Sequence, residues 1–496
     1  MMSVAQVLDG VGLTQPLPAA ARDKIVRGIE YDSRRIESGD IFFAFAGVNV
    51  DGRKFADAAK AQGAVAIVSE LPPPPHSDDA GGIWIEVEHG RRALALAARN
   101  LYGNLTSDLE LTGITGTNGK TTTAYLVDSI LRASGRKTAL VSTIEYRLAG
   151  VARPAPNTTP ESLDFYRLIG ELRVQAGNSL TAEISSHALA LGRVRGLSFH
   201  TAVLTNITRD HLDFHETMER YFDAKCELFR GQDAPPPRRA VLNRDDDWAG
   251  RVPLSPDTCV TWYGLDSKAT VYAKNIKESF DGLRFLVVSP QSSFDVQSSL
   301  VGKINVYNIL AACATGLSYG LQPLQIAAGI ADCHAVPGRF ERVDAGQPYL
   351  VAVDYAHTDD ALRNTIAVAR ALQPKRVLTL FGCGGDRDRA KRPLMGMAAA
   401  EASDLVVLTS DNPRSEDPLA IMNDALVGVN RFDTPHLLEP DRAKAIRLIL
   451  ESAHAGDVVI LAGKGHETDQ VFRDRTIHFD DREVARTVLA ELGYRK

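Results

Sequence analysis

A glycine-rich loop, Gly116-Thr117-Asn118-Gly119, separates a short apolar run from a segment with helical spacing. Backbone N–H groups in such a loop point inward, and the positive end of the following helix dipole attracts an anion. Lys120 would reach the terminal phosphates of a nucleotide, and the Thr121 hydroxyl would help to hold Mg²⁺. Five residues separate Gly113 from Gly119, whereas the common motif has four. The pattern still predicts a nucleoside-triphosphate site.

Acids and histidines follow two later apolar runs. Glu183 ends one run, where an acid at the carboxyl end of a parallel strand lies on the ligand-binding edge and can bind Mg²⁺. A solvated strand end is the alternative. Asp210, His211, Asp213 and His215 fall within six positions after the next run. This concentration suits metal or proton chemistry.

Lys225 lies about one helix length beyond those residues. A solvated lysine is the ordinary interpretation of such a position. A lysine that is kept neutral near Mg²⁺ could instead react with CO₂ and give an anionic carbamate that bridges metal ions. Spacing alone leaves both interpretations open.

Four polar clusters interrupt apolar runs in the last third of the chain, at residues 354–357, 382–389, 411–414 and 463–467. The carboxyl ends of strands in a doubly wound sheet converge on one crevice. Arg387 and Arg414 could clamp carboxylates through two hydrogen bonds each, and Glu467 could hold an ammonium group. A crevice with both signs of charge is what an amino-acid substrate requires.

The elements that position these residues alternate between strands and helices, which predicts α/β architecture with mainly parallel sheets. We expect three domains, at residues 1–107, 108–340 and 341–496. The central domain is expected to contain a phosphate-loop parallel sheet, and the last to be Rossmann-like without a GxGxxG motif. Short alternating runs between about 258 and 300 predict a small antiparallel layer beside the central sheet.

Composition restricts the class of protein. The chain has 496 residues, of which 44% are hydrophobic and 24% charged, and its net charge of −6 argues against a general nucleic-acid binder. No apolar stretch approaches the roughly 20 residues of a membrane span, and the N-terminus lacks a secretory pattern. The five cysteines are scattered without a CxxC pair. We therefore expect a cytoplasmic protein that neither binds nucleic acid nor inserts into a membrane.

The motifs together resemble the Mur ligases of peptidoglycan synthesis, most closely the MurE type that adds the third peptide residue. The resemblance covers nearly the whole chain and rests on segments that occur in the family's order: GTNGKTTT, EISSHAL, NITRDHLD, Asp-Ala-Lys, GKINVYN, PGRFE, DYAHT, GCGGDRDR, DNPR and GKGHE. The resemblance implies three domains: a UDP-binding unit, an ATPase unit and a Rossmann-like unit.

The resemblance also implies roles for individual residues. Catalytic or metal-binding roles fall to Lys120, Thr121, Glu183, His211 and Lys225, with Lys225 carbamylated in a site for a second Mg²⁺. The positions that match ATP contacts are Gly116, Thr117, Asn118, Gly119, Lys120, Thr121, Thr122, Asn308, Arg339, Asp354 and His357.

Substrate contacts are implied in the same way. Those to UDP-N-acetylmuramoyl-L-alanyl-D-glutamate are Ser33, Asn157, Thr158, Thr159, Ser185 and Arg193, with Leu191 where many relatives have glutamine. Those to meso-diaminopimelate are Arg387, Asp411, Asn412, Pro413, Arg414, Gly463 and Glu467. Lysine-adding relatives usually lack the arginine at 414, and its planar fork suits the second carboxylate of diaminopimelate.

The implied activity is ATP-dependent addition of meso-diaminopimelate through an acyl phosphate, by a monomer in the cytoplasm. Two alternatives stay open. In a ligase similar to folylpolyglutamate synthase, the segments DNPR and GCGGDRDR would have no function. A nucleotide-hydrolysing switch would have no need of a crevice with both arginine and glutamate.

Overall fold

A computed structural model describes residues 1–45, 51–74, 83–103, 105–106 and 108–495. The chain divides into two units. The first comprises Met1–Tyr272 and Leu310–Gly329, and the second comprises Ala273–Ile309 and the chain from Ile330 onward. The domain boundary predicted at residue 107 lies outside the described residues.

The N-terminal part of the first unit is built on a small parallel sheet. A separate antiparallel pair consists of β1 (Met2–Ser3) and β2 (Ile25–Val26). The strands of the parallel sheet are β3 (Gly28–Glu30), β4 (Asp40–Phe43), β5 (Ala66–Ser69) and β6 (Trp84–Glu86). Its helices are α1 (Val4–Val7), α2 (Ala19–Arg22), α3 (Ala56–Ala61) and α4 (Gly90–Tyr102). Strands β3, β4, β5 and β6 pair in that order, all in parallel. Helix α4 buries Leu94, Ala97 and Ala98, which recur at the spacing of one helix face.

A larger sheet follows, with β7 (Glu110–Thr115) in its interior. The other strands are β8 (Thr138–Val141), β9 (Glu145–Leu148), β10 (Val151–Pro154), β11 (Ser179–Glu183), β12 (Thr201–Leu204), β13 (Arg239–Asn243), β14 (Cys259–Gly264) and β15 (Val271–Ser279). The order is β10-β9-β8-β11-β7-β12-β13-β14-β15. Within this run β9 pairs antiparallel with both β8 and β10, and the other pairings are parallel. The predicted parallel sheet is confirmed. The β9–β10 hairpin at its edge was not predicted from the sequence.

Helices cover this sheet. They are α5 (Lys120–Ala133), α6 (Ser162–Val174), α7 (Ser186–Ala190), α8 (Leu212–His215), α9 (Met218–Arg230), α10 (Lys303–Ser318) and α11 (Pro323–Asp332). One hydrophobic core runs from α1 and α4 to the strands and helices of this sheet. The N-terminal part and the larger sheet therefore share a core within the first unit.

The prediction of an antiparallel layer between about residues 258 and 300 is wrong for β14 and for the start of β15. Strand β14 pairs in parallel with β13, and β15 begins in parallel with β14 at Val271. Antiparallel pairing is found in the hairpin of β16 (Gly282–Val288) and β17 (Ser293–Ser298). Residues Cys259 and Val260 of β14 are exposed. Because this strand is not covered along its whole length, its sequence lacks the continuous apolar run of an interior parallel strand.

The second unit contains a doubly wound sheet, as predicted. Its strands are β18 (Glu341–Val343), β19 (Leu350–Asp354), β20 (Val377–Cys383), β21 (Leu405–Ser410), β22 (His436–Leu438), β23 (Val458–Ala462), β24 (Asp469–Val471) and β25 (Thr476–His478). Its helices are α12 (Asp359–Ala371), α13 (Lys391–Ala402), α14 (Pro418–Val429), α15 (Arg442–Glu451) and α16 (Asp481–Glu491). The sheet order is β18-β19-β23-β20-β21-β22, parallel except for β18, and β24 and β25 form a separate hairpin.

Two apolar cores cover the two faces of the six-stranded sheet. Helices α12, α13 and α14 contribute to one core, and α15 and α16 to the other. The loops at the carboxyl ends of β19, β20, β21 and β23 carry the four polar clusters. Over the described residues, no helix is long and apolar enough to cross a membrane.

Candidate functional site

The loop between β7 and α5 can be formed only with glycine at two positions. Gly116 has φ +143° and Gly119 has φ +84°, both in the region that side chains disfavour. A Cβ atom on Gly116 would lie 1.9 Å from Oγ1 of Thr205. Helix α5 begins directly after Gly119, so its N-terminal N–H groups lie beside the loop. A glycine loop that leads into a helix N-terminus is a geometry that can hold phosphate.

Residues at the end of β12 brace this loop. The N–H of Thr117 donates to the carbonyl of Asn206 at 2.7 Å, and that of Asn118 donates to Oδ1 of Asn206 at 3.0 Å. Thr205 Oγ1 donates to the carbonyl of Asn118 at 2.7 Å. Sequence analysis assigned no role to Asn206 or Thr205, because spacing does not reveal that β12 is the parallel neighbour of β7.

Lys120 and Lys225 converge on one backbone oxygen. Lys120 Nζ donates to the carbonyls of Gly116 and Thr117 at 3.0 and 2.8 Å, and Lys225 Nζ donates to that of Gly116 at 2.8 Å. The interpretation of Lys225 as a solvated lysine is therefore wrong, since only 2% of the residue is exposed.

Lys225 is held in surroundings that disfavour its charge. Burial lowers its pKa well below the usual lysine range, the positive charge of Lys120 lowers it further, and Asp210 opposes the shift. The amine also lies 4.4 Å from the ring centre of Tyr221. The lowered pKa favours the neutral amine, which is the nucleophilic form.

Thr121 and Glu183, both predicted to bind Mg²⁺, are hydrogen-bonded to each other. Oγ1 of Thr121 donates to Oε2 of Glu183 at 3.0 Å, and the N–H of Thr143 donates to Oε1 at 2.9 Å. Glu183 is fully buried, at 0% exposure. A hydroxyl and a carboxylate at the end of the phosphate loop are the oxygen ligands that Mg²⁺ prefers. The donor set therefore fits this ion.

His211 belongs to a cluster of aromatic rings. His187, to which sequence analysis gave no role, has its ring centre 4.8 Å from that of His211 and 5.5 Å from that of His215. Burial, the largest cause, lowers the pKa of His211, and Lys120 and Lys225 add to the effect. Across the described ranges, no group of three or more His, Cys, Asp or Glu side chains is arranged to hold a metal ion. The histidines and aspartates at 210–215 thus form no metal site by themselves.

Most residues predicted to contact the muramoyl dipeptide are linked to one another next to Glu183. Oγ1 of Thr159 donates to the Glu183 carbonyl at 2.7 Å and accepts from the N–H of Ser185 at 3.1 Å. Arg193 donates to the carbonyl of Thr159 at 3.1 Å. Oγ1 of Thr143 donates to that of Thr158 at 3.1 Å.

The remaining predicted dipeptide contacts are Asn157 and Ser33. The carbonyl of Asn157 accepts from the Tyr146 hydroxyl at 2.5 Å. Ser33 begins a 3₁₀ turn of the N-terminal part, where its carbonyl accepts a hydrogen bond from Gln62 at 3.0 Å. Leu191, the departure from the glutamine of many relatives, is the C-cap of α7.

In the second unit, a buried lysine joins two of the predicted diaminopimelate contacts. Lys464 is 0% exposed, and its Nζ donates to Oδ1 of Asn412 at 3.3 Å and to Oε2 of Glu467 at 3.4 Å. Asn412 Nδ2 also donates to Oε2 of Glu467 at 2.8 Å. Burial raises the pKa of Asp411, and a Cβ atom on Gly463 would lie 2.5 Å from its carboxylate. Sequence analysis missed Lys464 because its burial depends on the fold.

Arg387 and Arg414 flank one glycine. A Cβ atom on Gly384 would lie 3.1 Å from Nη1 of Arg414 and 3.7 Å from Cγ of Arg387. Arg414 Nη1 donates to the carbonyl of Gly385 at 2.8 Å, which orients the guanidinium. Pro413 lies between Asn412 and Arg414, and its carbonyl is close to Gly385. The structure therefore brings the two predicted arginines together.

Four predicted ATP contacts belong to the second unit. Asp354, at the end of β19, accepts from the N–H of Phe340 at 2.7 Å and from Thr365 at 2.9 Å, and burial raises its pKa. The guanidinium of Arg339 and the ring of His357 lie 5.5 and 4.5 Å from the ring centre of Tyr355. The buried Asn308 donates to Asn305 Oδ1 at 2.9 Å.

Comparison with known proteins matches three segments that together cover most of the chain. Three family descriptions fit: Mur ligase family, catalytic domain, at residues 25–102; Mur ligase middle domain, at 114–316; and Mur ligase, glutamate ligase domain, at 338–465. The chain is 62% identical over 493 residues to the UDP-N-acetylmuramoyl-L-alanyl-D-glutamate–2,6-diaminopimelate ligase of Solibacter usitatus (strain Ellin6076), covering 99% of each chain.

Two further matches extend this similarity. The ligase of the same name from Geobacillus kaustophilus (strain HTA426) is 45% identical over 469 residues, covering 94% of this chain and 95% of the relative. A solved structure of a UDP-N-acetylmuramoyl-L-alanyl-D-glutamate–2,6-diaminopimelate ligase is 31% identical, with a TM-score of 0.71 and 99% coverage of each chain.

Proposed function

Because the chain belongs to the Mur ligase family, we propose that it joins meso-2,6-diaminopimelate to UDP-N-acetylmuramoyl-L-alanyl-D-glutamate, converting ATP to ADP and phosphate. The observation that carries this proposal is 62% identity over 99% of a ligase with that name. The reaction would supply a tripeptide precursor of peptidoglycan.

The reaction proceeds in two balanced steps. The γ-carboxylate of D-glutamate attacks the γ-phosphorus of ATP, so that an O–P bond forms and ADP leaves with an acyl phosphate remaining. An amine of diaminopimelate then attacks the acyl carbon. The tetrahedral intermediate expels phosphate, the nitrogen loses a proton, and an amide bond remains.

Residues around the phosphate loop serve the first step. The N–H groups of Gly116, Gly119 and Thr122, together with the Lys120 ammonium, bind and orient the phosphates. Thr117 and Asn118, whose N–H groups donate to Asn206, would contact ATP and hold the loop in shape. Thr121 and Glu183 would hold Mg²⁺, which when bound neutralises charge on the phosphates. Their contact at 3.0 Å and the burial of Glu183 support this role. His211 is proposed as the ligand of a second Mg²⁺.

We propose that Lys225 carries a carbamate. Its neutral amine attacks CO₂, a C–N bond forms, and one proton is released. The support is its 2% exposure, its lowered pKa and its position on the carbonyl that Lys120 also contacts. The carbamate would replace a buried amine by an anion that can bind metal.

The substrate contacts follow from the same family relationship. We propose that Ser33, Asn157, Thr158, Thr159, Ser185 and Arg193 contact the UDP-muramoyl dipeptide, and that Asn308, Arg339, Asp354 and His357 contact ATP. The hydrogen bonds that connect Thr159, Ser185 and Arg193 beside Glu183 support the first assignment.

Diaminopimelate recognition is assigned to the crevice of the second unit. Arg387 and Arg414 would bind its distal carboxylate, and Glu467 an ammonium group. The contacts of Asn412 with Glu467 and the placement of both arginines beside Gly384 support this assignment. Asp411, Pro413 and Gly463 would form the adjoining wall.

We also propose a division into domains at residues 1–107, 108–340 and 341–496, which agrees with the order of the three matched family segments. The protein would act as a monomer in the cytoplasm, where ATP and the nucleotide-linked substrate are found.

The direct test is phosphate release from ATP in the presence of UDP-N-acetylmuramoyl-L-alanyl-D-glutamate. Meso-diaminopimelate, L-lysine or no amino acid is added in parallel. We expect release that requires the dipeptide and strongly favours diaminopimelate. Release that ignores both additions would instead indicate a nucleotide-hydrolysing switch.

A further inference from the structure

Two loops of the second unit are tied together beside Arg387 and Arg414. The loop after β20, residues 384–389, carries Arg387, and the loop after β21, residues 411–416, carries Arg414. The N–H of Gly385 donates to the carbonyl of Asn412 at 2.9 Å. A Cβ atom on Gly385 would lie 1.9 Å from the carbonyl oxygen of Pro413. The two loops are therefore in direct contact.

A buried arginine forms ion pairs with partly exposed carboxylates next to this contact. The side chain of Arg392, at the start of α13, is 2% exposed and donates to both carboxylate oxygens of Glu416, at 2.7 and 3.0 Å. It also donates to Asp424 at 3.0 Å and to the carbonyl of Gly384 at 3.4 Å. The same Glu416 oxygen that accepts at 2.7 Å accepts from the N–H of Asp386 at 2.6 Å.

The connection is reciprocal. Glu416 of the second loop accepts from the backbone of Asp386, while the Asp386 carboxylate of the first loop accepts from the N–H and hydroxyl of Ser415, at 3.2 and 2.5 Å. Asp386 and Arg414 both have left-handed backbone, with φ +53° and +51°. Side chains other than glycine persist in this region when surrounding contacts determine the conformation. The reciprocal hydrogen bonds supply such contacts.

We propose that Arg392, Glu416, Asp386 and Ser415 form a clasp that fixes the mutual arrangement of Arg387 and Arg414 and thereby selects an amino-acid substrate with a distal carboxylate. The inference deepens the proposed function and rests on it. The four are positioning residues: they act through the two arginines. Bidentate recognition of a carboxylate depends on the angle and position of each guanidinium. If the two loops become more mobile, the selectivity for a distal carboxylate should therefore fall before kcat does.

The first test is Glu416→Gln in the full-length protein. Glutamine retains an oxygen for the Asp386 N–H and removes one of the two carboxylate charges that Arg392 faces. We expect the KM for meso-diaminopimelate to rise about tenfold, with kcat within about twofold and an unchanged KM for ATP. The preference for diaminopimelate over L-lysine should fall by a similar factor. The matched control is Glu401→Gln, which removes an ion pair of α13 with Arg363 and should behave as wild type.

The second test, Ser415→Ala, covers the case in which Glu416→Gln fails to fold. It removes one hydroxyl donor to Asp386 and leaves the Arg392–Glu416 pair intact, so thermal unfolding should match wild type while the KM for diaminopimelate rises about threefold. Unchanged KM and selectivity in folded variants would overturn the clasp, as would an equal loss of kcat with both amino acids. A wild-type protein that ignores diaminopimelate would overturn the proposed function and this inference with it.

Discussion

Lys120 and Lys225 donate hydrogen bonds to the same carbonyl oxygen, that of Gly116, at 3.0 and 2.8 Å. Two ammonium groups at one buried oxygen would repel each other strongly, because the low-dielectric surroundings screen them little. Burial and the charge of Lys120 lower the pKa of Lys225, which relieves this repulsion. The loop after β7 thus places an amine of lowered pKa next to Lys120, the lysine proposed to bind phosphate.

Replacing Lys225 by alanine should lower kcat for phosphate release at least about 100-fold, because the proposed carbamate and its metal contact are lost. Added formate or acetate should restore part of the activity by occupying the vacated space as a free carboxylate. Lys137→Ala, which removes an exposed lysine that contacts the carbonyl of Gln175, serves as the control. Unchanged turnover in the Lys225 variant would contradict the carbamate proposal.

Gly116→Ala should abolish ATP-dependent turnover while much of the fold remains. The added Cβ atom would lie 1.9 Å from Thr205 Oγ1, at a φ of +143°, so the loop must shift out of its phosphate-binding shape. The affinity for ATP, measured by calorimetry, should fall more than about tenfold. Gly170→Ala is the matched control, since the added Cβ in α6 would meet no atom within 4 Å outside its own helix. Normal ATP affinity in the Gly116 variant would contradict the assigned site.

Arg414→Ala should raise the KM for meso-diaminopimelate about 10- to 100-fold and reduce its advantage over L-lysine, because a charge-assisted pair with the distal carboxylate is lost. Arg414→Lys should restore little of the preference for diaminopimelate, since an ammonium group lacks the planar fork of a guanidinium. Arg431→Ala, which removes an exposed arginine that contacts Met397, should leave both constants unchanged. Retained selectivity in Arg414→Ala would place diaminopimelate recognition elsewhere.

Acidification should destabilise the protein through His466. Burial, reinforced by Arg339, Arg482 and His357, lowers its pKa from 6.5 to about 4. In the unfolded chain this histidine becomes protonated below about pH 6.5, whereas in the folded protein it becomes protonated only below about pH 4. The free energy of unfolding therefore falls as the pH decreases from about 6.5 to about 4. The loss attributable to His466 should reach roughly 2–3 kcal/mol near pH 4.

The measurement is urea unfolding, followed by circular dichroism, of wild type and His466→Gln between pH 4 and 7.5. The variant should lose less stability on acidification than the wild type does. His478→Gln is the control, because His478 is exposed and paired with Glu483, which raises its pKa. Parallel pH profiles for wild type and His466→Gln would show that this ring does not govern the acid response.

The sequence predicted most of the strands and the segments that carry polar residues. Strands β8, β11, β12 and β13 are such cases, because buried parallel strands are continuous apolar runs between turn residues. The phosphate loop was equally predictable, since glycine at Gly116 and Gly119 is required by local backbone geometry. The parallel pairing of β14 was missed because its uncovered residues lack that apolar pattern.

The sequence by itself therefore determined which residues follow each strand, and with them the chemistry that gathers at the carboxyl edges of two parallel sheets. Only the tertiary structure decided which of those side chains are buried and which meet. In the sequence Lys225 resembles a surface lysine, whereas in the structure it donates a hydrogen bond to a carbonyl 109 residues away. Arg392 resembles a charged surface residue in the sequence, yet in the structure it is buried and paired with Glu416 of a distant loop. Burial and proximity arise when distant segments pack together, and residue spacing does not encode either.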